Sequence, residues 1–274
     1  MKNRSYYLLL LLPLFTSCAS MYIPSPVNTP LFEDKGEVLV EAGVSTNGIF
    51  ATTSYSFSKK YALIANGNLS FGNFAKFSDI GDLSSGGEAS LGLGGGGDCA
   101  HSSVELGIGR YNIVNVSGWH LEVFTGARCG KANNLDREVS TFDSWHLQGF
   151  VQANFGRRVK YKEIGFASRI DYSYFNTKDV YKKKNEVTYE NFSALDLQQF
   201  VFFRLGGERL KVVIRIGFNF ALSFPPKHLY YNNNIWDPLY TIFHHSVGLT
   251  YRFGNKQSKH KKIDADSELM NSEE

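Results

Sequence analysis

No stretch of this chain is apolar for long enough to cross a bilayer as a helix. The best, Tyr6 to Phe15, runs about ten residues and is broken by Pro13, where roughly 20 are needed. Methionine and cysteine are scarce, three of each, and no metal site or cofactor is expected from them. Charge of one sign is missing too. The net charge is only +3, with basic residues scattered among acids, which gives no case for a nucleic-acid partner. What is present leans towards strands: 15 Tyr, 22 Phe and 26 Gly in 274 residues. That length suits one barrel of ordinary size or two small β-domains. Any membrane-crossing part must therefore cross as strands.

The N-terminus reads as a signal. Lys2 and Arg4 form a positive start, Tyr6 to Phe15 the apolar stretch, and Phe15-Thr16-Ser17-Cys18 follows. This tetrapeptide resembles the bacterial lipobox, although the usual Leu is replaced by Phe15. The resemblance implies a signal peptide over residues 1–17 and lipidation of Cys18. Plain cleavage near Ser20 is the alternative. Residues 18–35 carry Pro24, Pro26 and Pro30 without periodicity and read as an extended periplasmic tether.

From Gly36 to Phe253 the pattern changes to alternating segments of about ten residues, the length a tilted strand needs to cross a bilayer. Ten can be marked, at 36–44, 48–58, 60–72, 102–113, 118–130, 144–156, 161–174, 195–206, 209–222 and 239–253. In 209–222, Val212, Ile214, Ile216, Phe218 and Phe220 oppose Lys211, Arg215 and Asn219. Such period-two alternation means strands half buried in something apolar. The polar rows hold Glu37, Glu41, Glu105, Glu122, Arg128, Arg169, Asp171, Arg204, Arg215 and Arg252 among glycines. Acids and bases in that mixture suit a crowded interior around a narrow lumen, and a sheet in lipid must close on itself. Short gaps (59, 114–117, 157–160, 207–208) alternate with long ones (73–101, 131–143, 175–194, 223–238), as in barrels with short turns on one rim and long loops on the other. Aromatic residues fall at both strand ends, as two headgroup-level girdles would. The expected fold is all-β: a closed antiparallel up-and-down transmembrane barrel of about ten strands over residues 36–253.

The final segment reads Ser246-Val247-Gly248-Leu249-Thr250-Tyr251-Arg252-Phe253. Through Ser246, Gly248, Tyr251 and Phe253 it resembles the insertion signal of outer-membrane barrels, which implies recognition by the barrel assembly machinery. It departs from that pattern in being followed by residues 254–274, a charged tail expected to be disordered. The stretch Tyr22-Ile23-Pro24, then Asn28-Thr29-Pro30-Leu31-Phe32 and Lys35-Gly36-Glu37, is similar to a family of lipoprotein-type barrels from the Bacteroidetes group. That resemblance implies a small outer-membrane barrel, surrounded by outer-membrane lipid, with its N-terminus anchored on the periplasmic side and no assigned activity.

Residues that could carry chemistry are few. Gly92, Gly94 and Gly97 fit G-x-G-x-x-G, but no strand–helix frame surrounds them, so a loop is expected. His244 and His245, adjacent on a strand, point to opposite faces and cannot share a metal. If 144–156 and 161–174 pair across their turn, His146 faces Asp171 inside the outer mouth, with Asp196 at a similar height. A His–carboxylate pair can activate water, and ten-stranded outer-membrane proteases resemble this in using Asp and His at their mouths; a satisfied polar network is the bland alternative. Cys99 and Cys129 fall at the same rim, and an oxidising export route leads to an expected disulfide.

The expectation is a structural or loop-interaction protein, with at most a narrow pore, and not an enzyme. Two rivals stand beside it: a hydrolase using His146, Asp171 and Asp196, and a soluble periplasmic barrel holding a lipid inside.

Overall fold

The structure, a computed structural model, describes residues 25–45, 48–71, 99–116, 118–134, 140–181, 186–223 and 243–254. The signal segment, Cys18, the glycine-rich stretch 92–97 and the charged tail lie outside these. Ten strands run in order: β1 Val38–Ser45, β2 Gly48–Tyr55, β3 Tyr61–Phe71, β4 Cys99–Val116, β5 Trp119–Asn134, β6 Ser140–Val159, β7 Lys162–Tyr181, β8 Glu186–Gly206, β9 Leu210–Ala221 and β10 Phe243–Phe253. Each pairs antiparallel with its sequence neighbour, and β1 pairs β10 from Val38↔Phe253 to Ser45↔Ser246, closing the barrel. Val38 and Phe253 thus share one rim, called the near rim below. The turns 56–60, 160–161 and 207–209 lie there too, as does Gly118.

The two faces are sorted as the alternation demands, and with the opposite sense to a soluble protein. Leu106, Leu147, Val151, Ile170, Leu205, Ile214, Ile216 and Leu249 are all exposed, whereas Arg128, Arg169, Arg204 and Arg215 are among the largest fully buried side chains. Apolar rows outside and charged rows inside suit strands whose solvent is hydrocarbon. A lipid-filled soluble barrel would need the reverse. Aromatic pairs mark both ends of the outer face. Trp119 stacks on Phe155 at 4.8 Å and Tyr251 meets Phe253 at 4.6 Å towards the near rim, and Trp145 leans on Tyr174 at 5.9 Å towards the far one. Interior glycines make room for the rings among the charges. A Cβ on Gly126 would stand 2.7 Å from the Phe150 ring and one on Gly107 2.9 Å from it.

The structure departs from the sequence reading in several places. The wall is taller on one side than ten residues per strand allow: β4 to β8 have 18, 16, 20, 20 and 21 residues. The expected loops 131–143 and 175–194 are therefore mostly sheet, ending in connections at 135–139 and 182–185. The cysteines do not meet. Cys99 pairs with Asn134 while Cys129 pairs with Val104, five rungs along the same ladder (99 to 104), roughly 17 Å at the usual rise, and a disulfide needs Cα atoms within about 7 Å. Cys129 is an exposed free thiol.

A third departure is the expected tether. Its described part, 25–35, is not solvated linker: Ser25, Val27, Asn28, Thr29, Leu31 and Phe32 are buried inside the barrel. The reason is chemical on both sides. Val27, Leu31 and Phe32 gain by leaving water, and a backbone with no sheet partner finds donors and acceptors on the inner wall.

Candidate functional site

Among the described residues the lumen is where the fold concentrates chemistry, and the strap 25–35 organises it from the near rim upward. Glu122, three residues into β5, accepts the N–H of Phe32 at 2.7 Å and of Leu31 at 3.1 Å. Arg204 donates to both oxygens of Thr29, at 2.7 and 2.8 Å, and Arg252 to the Pro30 carbonyl at 2.8 Å. Gln152 donates to the Asn28 carbonyl at 2.6 Å, while the Asn28 amide donates to Asn66 and to the Thr53 carbonyl, both at 3.1 Å. Below them Phe32 packs with Tyr111, Ala62, Ile64, Phe124 and Phe150. The ladder of β4 and β5 slips between Arg110 and Val114, where Asn112 takes a positive φ of 54° and donates to the Glu33 carbonyl at 2.7 Å. Asn tolerates that conformation better than most residues. Every side of the strap is thus tied to a different strand.

Around it run ion pairs that explain how so many charges survive without water. Glu163 takes Lys211 at 2.6 Å, Arg204 at 2.9 Å and Arg252 at 3.3 Å. Glu37 takes Arg158 and Arg252, each at 2.8 Å. Glu41 pairs with Arg215 through both oxygens and also accepts Thr250 at 3.0 Å. Glu105 sits between Arg128 at 2.6 Å and Arg169 at 2.8 Å, and the Arg169 guanidinium lies 3.9 Å over the Phe150 ring. Buried charges are tolerable when each is met in this way.

Further up β7 and β8 than Ala167 and Phe200, Asp171 and Asp196 face each other directly. Asp171 accepts from Arg169 at 2.7 Å and Gln198 at 2.6 Å. Asp196 is fully buried, and neither of its oxygens has a partner among the described residues. His146 is not part of this pair. Its rung is Phe175, and Asp171 stands opposite Phe150, four residues away (146 to 150), roughly 14 Å along the strand. The expected His146–Asp171 dyad is therefore not formed. The cause is the hairpin: β6 runs on to Val159, which pairs with Lys162 around a two-residue turn at 160–161, so the register shifts by four from the one a turn at 157–160 would give. His146 instead heads a ring series, 5.6 Å from Phe175, which stacks on Phe192 at 4.8 Å. Among the described residues no group of three or more His, Cys, Asp or Glu is placed to hold a metal ion. On β10, Ser246 faces in and Val247, Leu249 and Phe253 face out.

The sequence reading marked the polar rows but missed the residues that grip the strap, Asn28 and Thr29 above all. The signal was there in Val27, Leu31 and Phe32, which are costly in a solvated linker.

No family model matches the chain, and no curated protein does. Among solved structures it is similar to the outer membrane protease OmpT from Escherichia coli, with 10% identity, a TM-score of 0.50, and coverage of 80% of this chain and 93% of that one. It is also similar to Ail, the attachment invasion locus protein of Yersinia pestis, with 8% identity, a TM-score of 0.35, and coverage of 80% and 99%. The likeness to OmpT corrects the expectation that this chain is not an enzyme: a similar fold carries an outer membrane protease, so the fold gives no ground for excluding catalysis. Taken with the closed sheet and its outward apolar rows, it establishes the chain's fold as that of an outer-membrane β-barrel.

Proposed function

We propose that this protein resides in the bacterial outer membrane as a sealed barrel that presents a surface, and does not serve as a conduit. The observation that supports this is the strap. With Val27, Thr29, Leu31 and Phe32 fully buried and tied to β4, β5, β8 and β10, the near half of the lumen holds protein where a pore would hold water. The part left among the described residues to meet other molecules is the tall wall of β4 to β8. Outer-membrane lipid surrounds the belt, and β10, with its Ser246, Gly248, Tyr251 and Phe253 pattern, is the strand offered to the assembly machinery. The test is conductance of the purified protein in a planar bilayer. Wild-type protein is expected to give no steps above baseline; steady ohmic conductance would overturn the proposal.

A second reading rests on a different observation, the unpartnered Asp196 carboxylate opposite Asp171 in a fold shared with a protease. Facing carboxylates can divide acid and base roles. A hydrolase built on them would cleave members of a fluorogenic peptide set and lose that activity in Asp196→Asn. A wild-type protein that cleaves none of them ends this reading.

A further inference from the structure

The strap has a direction, and the direction decides which side of the membrane its upstream end reaches. Gly36 hydrogen-bonds to the Ser56 carbonyl at 2.7 Å and Ser56 to the Asp34 carbonyl at 2.7 Å, so the strap leaves β1 at the near rim. Reading back towards the N-terminus, its contacts climb the wall. Leu31 and Phe32 meet Glu122, three residues from the near end of β5 (119 to 122). Asn28 meets Gln152, seven residues up β6 (159 to 152), and Val27 packs with Ala167 and Phe200, five residues up β7 (162 to 167) and six up β8 (206 to 200). Ser25 comes last, with its hydroxyl 3.3 Å from that of Ser103, only four residues from the far end of β4 (99 to 103). Ser103 pairs with Asn68, itself three residues from the far end of β3 (68 to 71). The strap crosses the belt.

We infer that the chain threads its own barrel, so that the segment preceding Ser25, with Cys18, leaves at the far mouth, on the opposite side of the membrane from Phe253. Ser25 lies seven positions after Cys18 (18 to 25), a reach of roughly 24 Å when fully extended. A return to the near rim would have to run back down the lumen beside the strap. That space is taken: Glu41, Arg204, Arg215 and Phe200 are all fully buried there, paired or packed with one another and with the strap. The far route asks for none of those contacts to break. A lipid carried on Cys18 would then enter the far leaflet, pinning the strap from one side while β1 holds it from the other. This replaces the periplasmic anchor expected from the sequence. It stands apart from the sealed-barrel proposal, because a strap withdrawn towards the near rim could still block current.

Two epitope tags test it in the full-length chain expressed in cells, one inserted between Ser20 and Met21 and one after Glu274. The upstream tag is expected to bind antibody on intact cells, and the C-terminal tag only after the outer membrane is permeabilised. Both tags on the same side overturn the inference. Where tagging blocks assembly, the pair Ser25→Cys with Ser103→Cys, in a chain whose Cys99 and Cys129 are serine, is expected to form a disulfide in cells, seen as a mobility change on reduction. A pair that stays reduced in assembled, oxidised barrels also overturns it.

Discussion

Replacing Glu122 by alanine should loosen the strap while leaving the barrel wall intact. The carboxylate accepts the N–H groups of Phe32 at 2.7 Å and Leu31 at 3.1 Å and receives Asn154 at 3.2 Å. Glu122, Leu31 and Phe32 are all fully buried, so water cannot easily stand in for the lost acceptor. Each orphaned N–H costs about 1–3 kcal/mol, giving roughly 2–6 kcal/mol for the two. At tenfold per 1.4 kcal/mol, strap opening should become roughly 30-fold to 10⁴-fold more frequent. Hydrogen exchange followed by mass spectrometry reads this directly, since the amides of residues 27–32 report the strap while those of β7 and β8 report the wall. Glu122→Gln keeps one carbonyl acceptor and should fall between wild type and Glu122→Ala. If strap amides exchange at the wild-type rate in Glu122→Ala, the strap is not held by these bonds and the reasoning fails.

Other consequences of the same interior can be measured. Glu41→Ala leaves Arg215 buried without its carboxylate partner, which should cost about 3–5 kcal/mol, seen as a lower urea midpoint for the protein refolded into lipid vesicles. Glu41→Met combined with Arg215→Met removes both charges and should recover most of that loss; a double variant no better than the single one would show that the pair is not the cause. Cys99 and Cys129 stand five rungs apart, so alkylation of unreduced, unfolded protein should modify both, and a mass showing neither modified would contradict the register.

Much of this was legible in the sequence because a strand's parity is fixed by its covalent geometry. The rows Val212–Phe220 and Lys211–Asn219 sort to opposite faces whatever else happens. Register is another matter. It depends on where a hairpin turns, and the end of the alternation at 156 places that turn at 157–160. In the structure β6 continues through Arg157 and Arg158, because Arg158 has inner-wall partners in Glu37 at 2.8 Å and Glu163 at 3.8 Å. Glu37 lies far away in the chain, so no local signal announces it, and only the two-residue turn at 160–161 brings Glu163 opposite Arg158; the His146–Asp171 alignment goes with that turn. The strap was hidden for a related reason. Pro24, Pro26 and Pro30 make an extended linker and an extended lumen strand look alike, since proline favours both. Only the burial of Val27, Leu31 and Phe32 separates them.

The account stands on which row of each strand meets lipid. Neighbours on β10 give the sharpest contrast, because Ser246 is 1% exposed and Val247 is 47% exposed. Spin labels at Ser246→Cys and Val247→Cys, in a chain whose Cys99 and Cys129 are serine and reconstituted in vesicles, can be read for collision with oxygen dissolved in the acyl chains. The label at 247 should be relaxed strongly by oxygen and the label at 246 weakly. The reverse order would contradict the account, since it would put the apolar rows in the middle and the charges outside.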